Sequence, residues 1–163
     1  IALPIVPRTV KDELAGAKHH FELRERCIFC DIIYQDLGDG RRVVSENPDY
    51  IAIAPFAPRS PFETWILPKA HSSTFAPLNG SFKGLAEIFQ KVLKQQDKIL
   101  DIPAYNFMIH TSPFNDEQNE YYHWHIEIMP KLTKTAGFEW GSGFYINATP
   151  PEDAAKYMRE AKI

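Results

Sequence analysis

The sequence predicts an α+β domain: a mostly antiparallel sheet carrying one long packed helix and closed by a C-terminal helix. Three observations lead there. Short β-rich runs at 43–44, 50–54 and 62–67 are separated by Gly38-Asp39-Gly40, Asn47-Pro48 and Ala57-Pro58, the punctuation of a meander. Phe82, Leu85, Phe89, Val92, Leu93, Ile99 and Leu100 then recur at helical spacing. Beyond them, apolar residues alternate again from Tyr122 to Met129.

Taken in order, Thr9 to Arg26 is charged with scattered apolar residues, and Thr9 with Asp12 reads as the cap of a helix covering the sheet. Cys27-x-x-Cys30 follows as a turn, and the three β-rich runs after it. The long helix starts near Asn79 or Ser81 and is expected to lay Phe82, Leu85, Phe89 and Val92 on the sheet. Asn106 to His110 reads as a strand with Asn106, Met108 and His110 on one face, and Ser112 to Glu120 as a polar loop. The strand from Tyr122 stops at Pro130, which has no N–H for a ladder. Its period of two puts His123, His125 and Glu127 on one face and Trp124, Ile126 and Ile128 on the other. Thr149-Pro150-Pro151-Glu152 reads as a capping box with proline at the first helical position, opening a helix through 154–159.

With 163 residues the chain has the length of one domain and can bury about 70% of the surface its unfolded form exposes. Lys plus Arg number 18 against 21 Asp plus Glu, a net charge of -3 without a basic run, which argues against double-stranded nucleic acid and leaves a single nucleotide open. Two closely spaced cysteines, and no apolar run approaching the roughly 18 residues of a membrane span, argue for a reducing cytoplasm over secretion or a membrane. Ile1 to Pro7 reads as an apolar segment cut from something upstream. His19, His20 and the Lys91, Lys94, Lys98 row read as solvated faces.

Chemistry concentrates in Cys27, Cys30, His71 and His123. Two thiolates with two residues between them can serve one ion from one turn, and Zn2+ favours a closed tetrahedron of such sulfur and nitrogen ligands. The alternative is a pair of buried free thiols. His125 is a spare imidazole on the same strand face, with Glu127 two residues on.

Four segments in order resemble one family: Cys-Ile-Phe-Cys-Asp at 27–31, Pro-Phe-Glu-Thr-Trp-Ile-Leu-Pro-Lys-Ala-His at 61–71, Tyr-His-Trp-His-Ile-Glu-Ile at 122–128 and Ala-Gly-Phe-Glu-Trp-Gly-Ser-Gly at 136–143. The family is the galactose-1-phosphate uridylyltransferases, relatives of the histidine-triad nucleotide-binding proteins that carry two histidine-triad-like copies in one polypeptide. This chain resembles the second copy, which implies a linker segment and helix from an upstream repeat at 1–26 and a histidine-triad-like domain at 27–163. The family's nucleophile belongs to a His-Pro-His-x-Gln motif of the first copy, and that motif does not occur in these 163 residues. The resemblance implies ping-pong transfer. A histidine attacks the α-phosphate of a nucleotide sugar, a nucleotidyl-histidine forms, and a hexose 1-phosphate collects the nucleotide.

The same resemblance implies zinc at Cys27, Cys30, His71 and His123, and a second metal, iron or zinc, near Glu13, His110, His125 and Glu127. A metal-free hydrogen-bonded cluster is the alternative there. His125 stands where the first copy has its nucleophile, although the Glu127 carboxylate would repel an incoming phosphate. Phe138, Glu139 and Asn147 correspond to sugar-phosphate contacts donated across a homodimer interface, and Gly137, Gly141 and Gly143 would let backbone approach a ligand. Three functions stay open: uridylyl transfer between UDP-glucose and galactose 1-phosphate, phosphorolysis of a nucleotide sugar or dinucleotide, and an inert zinc-stabilised domain for dimerisation and substrate presentation.

Overall fold

The computed structural model describes residues 5–76, 81–114, 116, 119–132, 134 and 136–163. In chain order the elements are α1 (Arg8–Arg24), α2 (Ile28–Asp39), β1 (Val43–Glu46), β2 (Tyr50–Ile53), β3 (Thr64–Pro68), α3 (Lys83–Leu100), β4 (Tyr105–His110), β5 (His125–Pro130), α4 (Gly137–Ser142) and α5 (Pro151–Glu160). The five strands form one open sheet in the order β1-β2-β3-β5-β4, every neighbouring pair antiparallel. This is the expected α+β arrangement, with α3 as the long connection between the third and fourth strands.

Each face of the sheet is apolar for its own reason. Val44, Tyr50, Ala52, Ile66, Trp124, Ile126 and Ile128 pack against Leu85, Ile88 and Val92 of α3 and Ala155 and Met158 of α5. Ile51, Ile53 and Leu67 point the other way and meet Phe29 and Ile33 of α2 and Ala17 of α1. A strand covered on both sides reads as a continuous apolar run, which is why Tyr50-Ile-Ala-Ile53 shows no alternation. The edge at β1 is closed by Arg159, whose Nη1 donates to the carbonyls of Arg41 (3.0 Å) and Val43. On the α1/α2 side, the two helices cover β1 to β3 and reach His125 and His110 through Phe29 and Glu13, and Asn106 and Met129 of β4 and β5 line a cavity beyond them.

Five local expectations are corrected. The stretch taken as a cysteine turn is helical: Cys27 is the residue before α2, and Phe29, Ile33 and Asp36 form its buried stripe at i, i+4 and i+7. Neither Thr9 nor Thr149 caps a helix; α1 and α5 begin behind Pro7 and Pro150 without a side-chain cap, although Pro151 does sit at the first helical position. The last strand starts at His125 rather than Tyr122, because Trp124 N donates to Ser72 O (2.9 Å) and ties the preceding residues to the loop after β3. The inner row of α3 is Leu85, Ile88 and Val92 with Gln95 and Gln96, whereas Phe82 remains 43% exposed and Phe89 packs edge-on against Phe107 of β4. Both glutamines are tolerated there because their amides donate to Met158 O (2.9 Å) and Phe62 O (3.0 Å). His20, read as solvated, instead meets Asp31 at 3.1 Å. Asn79, one of the two expected helix starts, lies outside the described residues.

Candidate functional site

Four donor atoms from three separate parts of the chain meet at the start of α2. Cys27 and Cys30 stand one helical turn apart, His71 follows β3, and His123 precedes β5, and their ligand atoms all lie within 4.8 Å of one another. Cys30 Sγ is 3.3 Å from His71 Nδ1 and 3.5 Å from His123 Nδ1. The Trp124 to Ser72 backbone bond holds the two histidine segments side by side. His123 Nε2 lies 2.9 Å from Pro68 O, so the hydrogen bond fixes the tautomer: Nε2–H donates to the carbonyl and the Nδ1 lone pair faces the sulfurs. The Cys30 thiol, hydrogen-bonding to Cys27, pulls the Cys27 thiol far below its usual range against the effect of burial. Cys30 is pushed up in turn, by that same bond, by burial and by the negative charge beside it. Two thiols that cannot both ionise unaided are the situation a divalent ion resolves.

Next along β5 is a second cluster, built on cross-strand pairs. On the face away from α3, His125 lies opposite His110, Glu127 opposite Met108 and Met129 opposite Asn106. His125 does not face an open pocket. Its ring is 0% exposed, stacked on His110 (4.6 Å between centroids, 12° between planes) and against Trp65 (5.1 Å) and Phe29 (4.9 Å). The unanticipated α2 supplies Phe29, and α1 brings Glu13 over the top. Burial holds His125 neutral, its pKa pushed down to about 4. Its Nδ1–H donates to His123 O (3.1 Å), which leaves Nε2 as a lone pair 3.7 Å from Glu13 Oε1 and 4.0 Å from Glu127 Oε1.

His110 is the proton carrier of the cluster. Nδ1 lies 3.0 Å from Glu13 Oε2 and Nε2 3.4 Å from Glu127 Oε2. Burial opposes a charged ring, but the hydrogen bonds and charges of the two carboxylates win and raise its pKa to about 9. Tyr122 O–H donates to Glu13 (2.6 Å), and the Arg59 guanidinium is paired with Glu127. The ligand atoms of Glu13, His110 and His125 also lie within 4.8 Å of one another; Glu127, expected in that group, turns to Arg59 instead.

The third set of expected residues is divided. Glu139 lines a cavity of about 790 Å³ beside β4 and β5, where one of its oxygens accepts from Ala136 N (3.0 Å) at the start of α4. Phe138 is exposed and Asn147 accepts from Thr149 N (2.9 Å), and neither is among the lining residues. The glycine-rich run is the short helix α4, ended by Gly143 at φ +73°, a conformation that favours glycine. Sequence reasoning missed Arg59, Tyr122 and Trp65. A cation in the Pro-rich stretch before β3 was the one available signal for Arg59, and it has no partner within local reach.

Comparison with known proteins bears on all three regions. The family described as galactose-1-phosphate uridyl transferase, C-terminal domain, matches residues 13–153. The chain is 42% identical over 170 residues to an ADP-glucose phosphorylase of Arabidopsis thaliana, covering 100% of this chain and 46% of that protein. It is 30% identical over 171 residues to a galactose-1-phosphate uridylyltransferase of Thermotoga maritima, covering 99% and 53%. The crystal structure of the Arabidopsis phosphorylase with bound ADP-glucose superposes with a TM-score of 0.88 at 40% identity, over 99% of this chain and 52% of that one. A Hit-like protein of Bartonella henselae superposes with a TM-score of 0.57 at 25% identity, over 83% and 96%. The chain thus spans about half the length of the first two relatives.

Proposed function

Because this chain belongs to the galactose-1-phosphate uridylyltransferase family, matched to its C-terminal domain, we propose that it is the second histidine-triad-like unit of an enzyme that transfers a nucleotidyl group from a nucleotide sugar. The observation that carries this reading is the convergence of Cys27, Cys30, His71 and His123 in a chain that also keeps the family's other motifs in order. These four residues fit zinc in ligand type, number and tautomer, and a closed site of this kind supplies folding energy rather than reaction chemistry. Transfer through a nucleotidyl-histidine then belongs to an upstream copy, since His125 is sealed under Phe29 and Trp65. In the second cluster His110 and Arg59 already balance the charges of Glu13 and Glu127, which supports a metal-free ionic network over a second metal.

For the acceptor, the higher identity to the ADP-glucose phosphorylase favours inorganic phosphate over a hexose 1-phosphate. In that reading an oxygen of phosphate attacks the α-phosphorus of the nucleotidyl-histidine, the P–N bond breaks to free the imidazole, and a nucleoside diphosphate leaves. The test is a full-length parent protein incubated with ADP-glucose or UDP-glucose and examined by intact mass. A nucleotidyl adduct discharged by phosphate supports phosphorolysis, and one discharged by galactose 1-phosphate supports uridylyl transfer. The absence of an adduct with either sugar nucleotide supports the inert dimerisation and presentation domain and sinks the enzyme reading. The same reading carries a cytoplasmic homodimer acting on a nucleotide sugar, with hexose 1-phosphate as the product of phosphorolysis or the acceptor of uridylyl transfer, and Phe138, Glu139 and Asn147 as sugar contacts given to a neighbouring subunit.

A further inference from the structure

The cavity beside β4 and β5 is more cationic than the chain that encloses it. Among the described residues Arg59, Lys131 and Lys134 line it against one carboxylate, that of Glu139, with Glu127 paired to Arg59 behind the lining, in a protein whose net charge is -3. Its volume of about 790 Å³ is in the range of small-molecule sites. We propose that it is a phosphate-monoester site, with the Arg59 guanidinium, the Ser60 hydroxyl and the Asn106 amide as its floor and Lys131 and Lys134 as its rim. The proposal rests on the nucleotide-sugar reading above for its choice of ligand, a sugar phosphate, but names binding residues which that reading does not use.

Three observations support it. First, Arg59 is fixed before any ligand arrives. Its backbone N–H donates to Glu63 Oε2 (2.8 Å), the Ser60 N–H reaches the same oxygen (3.3 Å), and Trp65 Nε1–H donates to Glu63 Oε1 (2.9 Å). On its side chain, Nη2 is paired with the buried carboxylate of Glu127, while 39% of the side chain stays exposed. A guanidinium has five N–H donors in a rigid fork, so one can hold Glu127 while others face an anion, and little rotamer freedom remains to be lost on binding. Second, Ser60 is on the lining and its hydroxyl is buried with no hydrogen-bond partner among the described residues, a donor that a phosphate oxygen would satisfy once the side chain turns toward the cavity. Third, Asn106 stands on the face of β4 that carries Met108 and His110, opposite Met129, and so presents its amide to the same space. Glu127, read from sequence as repelling phosphate, is neutralised by Arg59 and becomes the group that orients it.

The test is a calorimetric titration of the zinc-loaded 163-residue chain with glucose 1-phosphate, inorganic phosphate and unphosphorylated glucose. Arg59→Met should weaken glucose 1-phosphate and phosphate binding at least tenfold and Ser60→Ala about threefold, while Lys98→Met on α3 leaves both unchanged. Lys131→Met with Lys134→Met, both at exposed positions, should weaken binding and flatten its salt dependence, which keeps the test decisive if Arg59→Met fails to fold. Equal binding of glucose and glucose 1-phosphate, or unchanged phosphate affinity in Arg59→Met and in the double lysine variant, would overturn the site. The transfer assay on the parent is separate. Loss of phosphate binding in Arg59→Met without any nucleotidyl adduct upholds this site and removes the functional reading, and the reverse pair of results removes the site alone.

Discussion

Cys30→Ser is the most informative single substitution, because it tests ligand set and energetics together. Serine preserves the size of the side chain but replaces a thiolate with a hydroxyl that does not ionise near neutral pH. The cluster joins the start of α2 to His123, two residues before β5 and 93 positions away, and to His71, 41 positions away. Treated as a cross-link closing a loop of that length, it removes about 4 to 5 kcal/mol of chain entropy from the unfolded state. Against the total stability of an ordinary domain, about 5 to 15 kcal/mol, that is a large share. For a chain of this size each kcal/mol corresponds to roughly 2 to 4 °C in Tm. Loss of the ion should therefore lower Tm by roughly 8 to 20 °C, from these same scalings. The assay is thermal unfolding followed by circular dichroism, run beside metal analysis, for the parent chain, the variant, and the parent chain after a strong chelator. Variant and chelated chain should fall together, with one zinc per chain lost in each. A Cys30→Ser chain that retains its zinc and melts within 2 °C of the parent would refute the argument.

Further outcomes follow from the second cluster. His125→Ala should destabilise the fold by about 3 kcal/mol in urea titration, since it opens a hole among four aromatic rings, and a change under about 1 kcal/mol would mean the ring is not packed as described. His110 has a folded pKa near 9 against an ordinary 6.5. A raised value means its contribution, on the order of 3 kcal/mol at most, is complete below about pH 6.5 and lost as pH rises through about 9. Stability of the Glu13→Gln chain should vary less over that window, and an imidazole NMR titration that places His110 at 6.5 would contradict the network. Metal analysis after loading with excess zinc or ferrous iron should find one ion per chain, and two would favour a metal at Glu13, His110 and His125.

The sequence by itself determined the parts that depend on spacing along a strand or helix. The alternation in 124–128 put Trp124, Ile126 and Ile128 into the core beneath α3, and Cys-x-x-Cys placed two thiols on one turn, because both are properties of neighbouring residues. That His71 and His123 join the cysteines was legible through motif order, and the geometry that makes it possible is one backbone bond from Trp124 to Ser72. The helical stripe of α2 was there to be read in Phe29, Ile33 and Asp36, but the cysteine motif at its start suggested a turn.

Only the tertiary structure decided what surrounds His125. Glu13 reaches Tyr122 across 109 positions and Arg59 reaches Glu127 across 68, and no local periodicity encodes either meeting. The consequence is a change of role. Glu127, which alone reads as a carboxylate hostile to phosphate, becomes the anchor of a cation, and His125, which alone reads as a spare imidazole beside it, becomes a neutral ring in the core. Charge and accessibility are set by whatever packs nearby, so the identity of each group was written in the sequence while its chemistry was fixed by the fold.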